Sequence, residues 1–534
     1  MKYPFKILNK KKFILCFIDA FLTNLFFYIT PVLLAYFTRE PFTLDKLKYL
    51  ILSIIVSKIL AVGLNQIWII YVLKFEHQYS KDLQLAYFDR VARMKPFALN
   101  KVHNGFLKKE IDIISGEAED LLEYIFETVS GFSISIVMFL VQVINQDLKL
   151  FFVCLAMIFG MVIYNVWLGK KYVSVQEDYN ESYSKYNSTY VDFLQNVKTV
   201  KRLNASEFAN RKNEELFGKV LPKLGKVNLT YSFRSNGINV FVYIMYVIVL
   251  TNLYFKMQAG ENILSNLLFY ATIFDLLRGE LKDLTFLFVH FNKFQAATNQ
   301  VEKIIGEDVE SGIIKDWKAI QIKDLEFKYN EETKTTIQIP NFEIQQGDKI
   351  SIVGKSGQGK STFLNIFSRY IEVDSEKYKI DGETKTGNLD LAYISQEIDL
   401  FDLSVRENLC LGKEISDETL MQILSEAGLQ DWVQKLENGL DTIVGERGLK
   451  LSVGQKQRLN LIRGILLDKD IYVLDEPTSN LDKETEKLIV NLIQKYLQNK
   501  TVVIVTHRDE IKRICEKNYI FENNCMQEEI FVKQ

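Results

Sequence analysis

Lys349-Ile350-Ser351-Ile352-Val353-Gly354-Lys355-Ser356-Gly357-Gln358-Gly359-Lys360-Ser361-Thr362 decides how the C-terminal part of this chain folds. The β-branched run Lys349 to Val353 reads as a buried strand, and it leads directly into a glycine-rich segment ending in Gly-Lys-Ser-Thr. Gly354, Gly357 and Gly359 let backbone N–H groups turn towards a polyphosphate, and a following helix adds the positive end of its dipole. Lys360 is placed to reach the β and γ phosphates of a nucleotide, and Ser361 to ligate Mg²⁺. The segment therefore predicts a phosphate-binding loop between a strand and a helix.

Downstream, Ile471-Tyr472-Val473-Leu474 reads as a second buried strand that ends in Asp475-Glu476. A parallel sheet presents its ligand edge at such strand ends. Two adjacent acids there suit two tasks, with Asp475 holding the Mg²⁺ shell and Glu476 orienting or deprotonating an attacking water. Short β-branched runs such as Thr501 to Thr506 alternate with helical patterns from about residue 318 onward, the signature of an α/β domain.

Upstream of that domain the chain is written for a different solvent. Of its 534 residues 48% are hydrophobic and 13% aromatic, yet 25% are charged, which points to an oily part joined to a water-soluble part. Six apolar stretches are long enough to cross a bilayer, at 13–37, 47–73, 126–144, 148–168, 237–256 and 263–289, with the third and sixth the least clear. Lys2, Lys6, Lys10, Lys11 and Lys12 precede the first and set the N-terminus on the cytoplasmic side. The outside connections are then short, and the inside ones, 74–125 and 169–236, are long, charged and helical in pattern. The expected domains are a transmembrane domain at 1–305, a Gly-interrupted acidic linker at 306–317 and a nucleotide-binding domain at 318–534.

Other classes fall away. A net charge of -2 gives no reason to expect nucleic-acid binding. The five cysteines form no CxxC pair, and four histidines leave little scope for a His-rich metal site. Charges inside spans are costly and mark functional candidates, here Asp19, Lys58, Asp275, Arg278, Glu280 and Asp283. Asp275 and Arg278 are the tentative substrate-path residues, although at i, i+3 they also suit mutual neutralisation.

Leu451-Ser452-Val453-Gly454-Gln455 resembles the signature motif of ABC (ATP-binding cassette) proteins, and the resemblance extends over essentially the whole chain. It is that of an exporter-type (type IV fold) half-transporter, six spans followed by one nucleotide-binding domain. The resemblance implies that Tyr329 stacks on adenine, that Gln396 in Tyr393-Ile394-Ser395-Gln396 senses Mg²⁺ and the attacking water, and that His507 in Thr506-His507-Arg508 contacts the γ-phosphate. Ser479-Asn480-Leu481-Asp482 resembles the D-loop and 445–448 the exporter x-loop, while tips near 105–113 and 204–212 would be coupling helices against the nucleotide-binding domain.

The implied catalytic set is Glu476, His507 and Gln396, and Mg²⁺ would be held by Ser361, Gln396 and Asp475. ATP would be bound by Tyr329, by Gly354, Lys355, Ser356, Gly357, Gln358, Gly359, Lys360, Ser361 and Thr362, and by Ser452, Gly454, Gln455 and Asp482. One position departs from the family pattern, since Val453 stands where the signature usually has glycine. The expected activity is ATP-hydrolysis-driven export of a peptide, lipid-linked or amphipathic substrate across the cytoplasmic membrane by alternating access. Alternatives are an importer on an exporter-like fold and an ATP-gated channel or regulator. The expected partners are the lipid bilayer, the unidentified substrate and a second, identical subunit whose Ser452 and Gly454 close on the loop of the first.

Overall fold

In the computed structural model the first apolar run forms two helices, Lys10–Tyr28 and Thr30–Phe37, and the break follows from Pro31. Proline donates no N–H and its ring crowds the preceding turn. The chain therefore restarts at Ile29, whose carbonyl accepts from the N–H groups of Val32 and Leu33 at 3.0 and 3.1 Å. Asn9 caps the first helix by accepting from the backbone of Lys12 at 3.2 Å. The structure describes residues 2–38, 43–94, 104–306, 312–329, 336–396, 398, 400–444, 451–479 and 481–529.

Long rods follow: Leu44–Ala92, then Asn104–Tyr124 running through a π-helical turn at Ile125–Val129 into Ser130–Gln146, then Leu148–Gln195, Ser206–Gln258 and Leu264–Ile305. Leu44–Ala92, Leu148–Gln195 and Ser206–Gln258 contain 49, 48 and 53 residues. At 1.5 Å per residue such helices run about 70 to 80 Å, more than twice the ~30 Å of a hydrocarbon core. Each must continue well beyond the bilayer, as the charged inside connections anticipated.

Among the described residues five helical stretches are long and apolar enough to cross a membrane: Lys10–Phe37, Leu44–Ala92, Phe106–Gln146, Leu148–Gln195 and Ser206–Gln258. The expected sixth span falls on Leu264–Ile305, which misses that standard because Asp275, Arg278, Glu280, Lys282 and Asp283 interrupt its apolar sequence. Outward-facing side chains on the apolar helices, such as Ile55, Ile59, Ile70, Phe152, Phe159 and Trp167, are exposed, as lipid contact requires. The helices meet around Phe139, Cys154, Val242, Val249, Tyr270, Ile273 and Leu277.

The chain divides into two compact units, one made of Met1–Ala92 and His103–Gly306 and the other containing Glu307–Gln534. The second unit is built on a nine-stranded sheet. Its strand order is Tyr378–Ile380, Ala319–Phe327, Ile337–Gln345, Cys525–Glu529, Lys517–Glu522, Lys349–Gly354, Thr501–Val505, Ile471–Asp475 and Leu391–Ile394. The last five run parallel to one another. Ile471–Asp475 and Thr501–Val505 are buried at every position, as strands covered on both faces must be.

The helix Lys360–Phe367 packs into an aromatic cluster in which the Phe342 ring lies 4.8 Å from Phe363, 5.9 Å from Phe367 and 5.2 Å from Tyr519. This cluster fixes the helix that carries Lys360 and Ser361. Phe342→Ala should destabilise the domain by about 3 to 5 kcal/mol through lost burial and the cavity left behind, read as a lowered unfolding transition in the purified full chain.

Candidate functional site

Parallel register brings the site together. Lys349–Gly354 pairs with Thr501–Val505, which pairs with Ile471–Asp475, so all three strands end at one edge of the sheet. Beyond the first strand the loop turns through Gly354, Gly357 and Gly359 at φ 149, 81 and 107°, values open to glycine and strained for other residues. A side chain on Gly354 would also meet the backbone oxygen of Phe521 at 2.7 Å. Gly359 caps the helix Lys360–Phe367, and its carbonyl accepts from the N–H of Phe363 at 2.8 Å.

Lys360 is nearly buried, and its ammonium donates to the loop carbonyls of Gly354 at 2.5 Å and Lys355 at 3.1 Å. The Ser361 hydroxyl donates to Asp475 at 3.2 Å, joining loop and strand end. Burial pushes the Asp475 carboxyl above the usual carboxylate range, held back by the Ser361 hydroxyl, raised further by Glu476 and lowered by Lys360. Burial lowers the Lys360 ammonium, opposed by Glu476 and Asp475. Ser361 and Asp475 are paired hard oxygen donors, the chemistry that suits Mg²⁺.

Glu476 leaves the strand with φ at 50°, a left-handed conformation that is costly for a residue with a side chain. Its N–H donates to the Val505 carbonyl at 3.0 Å, so the turn is held by the neighbouring strand. Its carboxylate accepts from Gln396 Nε2 at 3.1 Å and lies 3.9 Å from His507 Nε2. Two of the three expected catalytic residues, Gln396 and His507, thus converge on the carboxylate of the third. The Tyr329 hydroxyl shares a hydrogen bond of 3.1 Å with Thr362, and the residue is 48% exposed.

The signature residues engage locally. Ser452 and Gln455 form a reciprocal capping box that starts the helix Val453–Leu466. Val453 projects from its first turn and is 60% exposed. Asp482 caps Lys483–Tyr496 by accepting from Thr485 at 2.9 Å. The segment 445–448 and Asn480 lie outside the described residues.

Gln457 was not singled out in the sequence. It is buried and donates to the Glu476 carbonyl at 3.4 Å and to the Ser479 hydroxyl at 2.9 Å, bracing the turn after the acidic pair. Only its place one helical turn after Val453 could have signalled it. In the helical unit Glu117, Asp120 and His290 group their ligand atoms within 4.8 Å, but Glu117 already pairs with His290 at 2.7 Å and Lys293 at 3.2 Å. Asp275 and Arg278 bind one another at 2.8 Å on an exposed surface.

A glycine-rich phosphate loop on a parallel sheet, fused to a bundle of bilayer-length helices, defines a nucleotide-binding domain on a multi-pass membrane protein. The chain belongs to the ABC transporter family: residues 12–281 match the model of the ABC transporter transmembrane region, and residues 337–479 match a second model, described as ABC transporter. The chain is 34% identical over 252 residues to the ATP-dependent lipid A-core flippase of Vibrio vulnificus (strain YJ016), a stretch covering 45% of this chain and 43% of that protein. A putative multidrug export ATP-binding/permease protein of Staphylococcus aureus (strain bovine RF122 / ET3-1) is 36% identical over 211 residues, 38% of this chain and 36% of that protein. The matched stretch thus spans less than half the length of these relatives. In fold, the chain is similar to a bacterial Atm1-family ABC exporter with ATP bound, at a TM-score of 0.85, 19% identity, and coverage of 96% of this chain and 95% of that one.

The raised Asp475 carboxyl sets a stability test. A carboxyl raised on folding favours the folded state most at low pH, and that advantage is lost as pH climbs through the raised value. At neutral pH nucleotide-free Asp475→Asn should unfold at a higher temperature than the parent, and the difference should shrink in acid. The same variant should weaken Mg²⁺-dependent ATP binding at least ~10-fold, measured by nucleotide titration.

Proposed function

We propose that the chain is a half-transporter in which ATP hydrolysis drives export of a peptide, lipid-linked or amphipathic substrate out of the cytoplasm. The observation that carries this reading is the convergence of Gln396 and His507 on Glu476, beside the Ser361–Asp475 pair. A protein that used nucleotide only as a switch would need the phosphate loop but no carboxylate braced by an amide and an imidazole.

In the proposed cycle the loop 354–362 cradles the polyphosphate, and Lys360 exchanges its loop carbonyls for phosphate oxygens. Ser361 and Asp475, with Gln396, would hold Mg²⁺, which supplies charge neutralisation on the phosphates. Glu476 takes the proton of the attacking water, Gln396 orients it, and His507 steadies the γ-phosphate. Ser452, Gly454 and Asp482 serve the partner copy: the Val453–Leu466 helix presents its N-terminal end outward, and the contacts of Ser452 and Asp482 are local. A homodimer follows, because one chain holds both halves of such a site. We place the N-terminus and the nucleotide-binding domain in the cytoplasm, on the strength of the five lysines before the first span. The relatives' printed roles, lipid A-core flipping and putative multidrug export, support outward movement of an amphipathic molecule.

Glu476→Gln should bind ATP at near-parental affinity while hydrolysis falls about 10²- to 10⁴-fold. Parallel nucleotide-binding and phosphate-release assays on the purified chain check this, and unchanged turnover would remove Glu476 from the role of base.

A further inference from the structure

The helical unit contains a cavity of about 290 Å³ whose lining charges are of one sign. The helix Lys10–Tyr28, the helix Leu44–Ala92, the π-helical turn Ile125–Val129 and the helix Leu264–Ile305 all contribute to its wall. Three carboxylates line it, Glu127, Glu280 and Asp283, and no lysine or arginine does. Three aromatic side chains, Phe27, Tyr28 and Trp68, complete a wall that is otherwise small or polar.

The π-helical turn is a local departure from regular helix at this wall. An inserted residue widens the helix and changes which side chains face inward, and here the turn carries Glu127 and Thr128 to the cavity. Its distortion is supported from outside, since Asn24 donates to the Glu127 carbonyl at 3.0 Å and to Ser130 at 2.6 Å. Thr128 is only 4% exposed, lines the cavity and has no hydrogen-bond partner among the described residues. Thr23 Oγ1, also on the wall, is closed off from solvent without a partner among the described residues. Polar groups placed at such cost of desolvation await a ligand atom.

The nearby cations offset the lining carboxylates only in part. Tyr28 donates its hydroxyl to one oxygen of Glu280. Lys58 is committed elsewhere: its ammonium donates to the Phe27 carbonyl at 2.6 Å and sits 4.1 Å from the Phe27 ring. That contact also shows a cation accepted by an aromatic of this wall. Lys282, next to Asp283 in sequence, partly offsets that carboxylate without lining the cavity, and no cation among the described residues does the same for Glu127 or Glu280. By contrast Asp275 and Arg278 neutralise each other in the open.

We propose that this cavity recognises the cationic group of the transported substrate, a lipophilic organic cation whose charged centre meets Glu127, Glu280 and Asp283 and whose apolar body lies against Phe27 and Trp68. The assignment as cargo rests on the export reading above, whereas the binding itself does not. A cavity of this size holds a small organic ion, and a weakly hydrated cation pays less desolvation on leaving bulk water than a strongly hydrated one.

The test uses the full chain in phosphatidylcholine nanodiscs with tetraphenylphosphonium and its anionic isostere tetraphenylborate. Saturable binding of the phosphonium, with the borate at least ~10-fold weaker, is expected. The Glu127→Gln/Asp283→Asn double variant should weaken phosphonium binding about 10-fold or more, while Asp283→Glu should restore it beside a parental unfolding transition. Equal binding of both ions, insensitivity to the double variant, or displacement of the phosphonium by millimolar Na⁺ or Ca²⁺ would each overturn the proposal. Glu476-dependent ATP hydrolysis without phosphonium binding would sink this inference and leave the export reading standing. Hydrolysis indifferent to Glu476 would sink the export reading whatever the phosphonium did.

Discussion

The pairing of three parallel strands, Lys349–Gly354, Thr501–Val505 and Ile471–Asp475, is the constraint on which the nucleotide site depends. Parallel strands in register end at the same edge, so a loop, a carboxylate pair and a histidine that are far apart in sequence arrive within a few ångströms of one another. The Ser361–Asp475 contact at 3.2 Å is the direct expression of that register. A slip of one residue in either ladder would turn Asp475 to the opposite face and break the contact. The core on both sides of the sheet therefore serves positioning as well as stability, and the buried Phe342 cluster anchors the helix that bears the lysine and serine.

The same site shows how strain is placed. Glu476 occupies a left-handed backbone conformation, and Gln457, Val505 and Ser479 bind the backbone around it. A carboxylate continuing along a regular strand would point into the sheet's neighbours; the left-handed turn lifts it towards Gln396 and His507. Asp475, one residue earlier, stays in the strand and keeps its buried, Ser361-bonded position. Adjacent acids thus acquire different environments from a single change of φ, which in the proposed cycle separates metal binding from proton transfer within one dipeptide.

Much of this was legible because the relevant signals are local. The glycines of the loop are required by backbone angles that other residues resist, and the hydrophobic runs before Gly354 and Asp475 can only be buried strands. The apolar helices were readable for a similar reason, because a bilayer demands length and internal hydrogen bonding from each segment separately. What stayed hidden depends on three-dimensional packing. Gln457 looks like an ordinary polar residue of an amphipathic helix, and nothing nearby in sequence announces that its amide reaches the turn after Glu476. The π-helical turn at Ile125–Val129 leaves no compositional mark. Glu127 lies at the edge of an expected span, so its position reads as the end of a polar connection.

The intramembrane charges make the same point with opposite outcomes on one helix. Asp275 and Arg278 are three residues apart on a single face, and opposite charges at that spacing find each other without help from the fold. Glu280 and Asp283 have the same spacing but like sign, so they cannot relieve each other; Lys282 on the same helix offsets Asp283 in part, and Glu280 is left to other elements. The fold supplies Tyr28 to one of them and then adds a third carboxylate, Glu127, rather than a base. In a low-dielectric surrounding that choice costs stability unless a positive charge comes from outside the chain. Sequence spacing alone shows that the second pair cannot neutralise itself, and only the packing of four elements shows that it faces a third carboxylate.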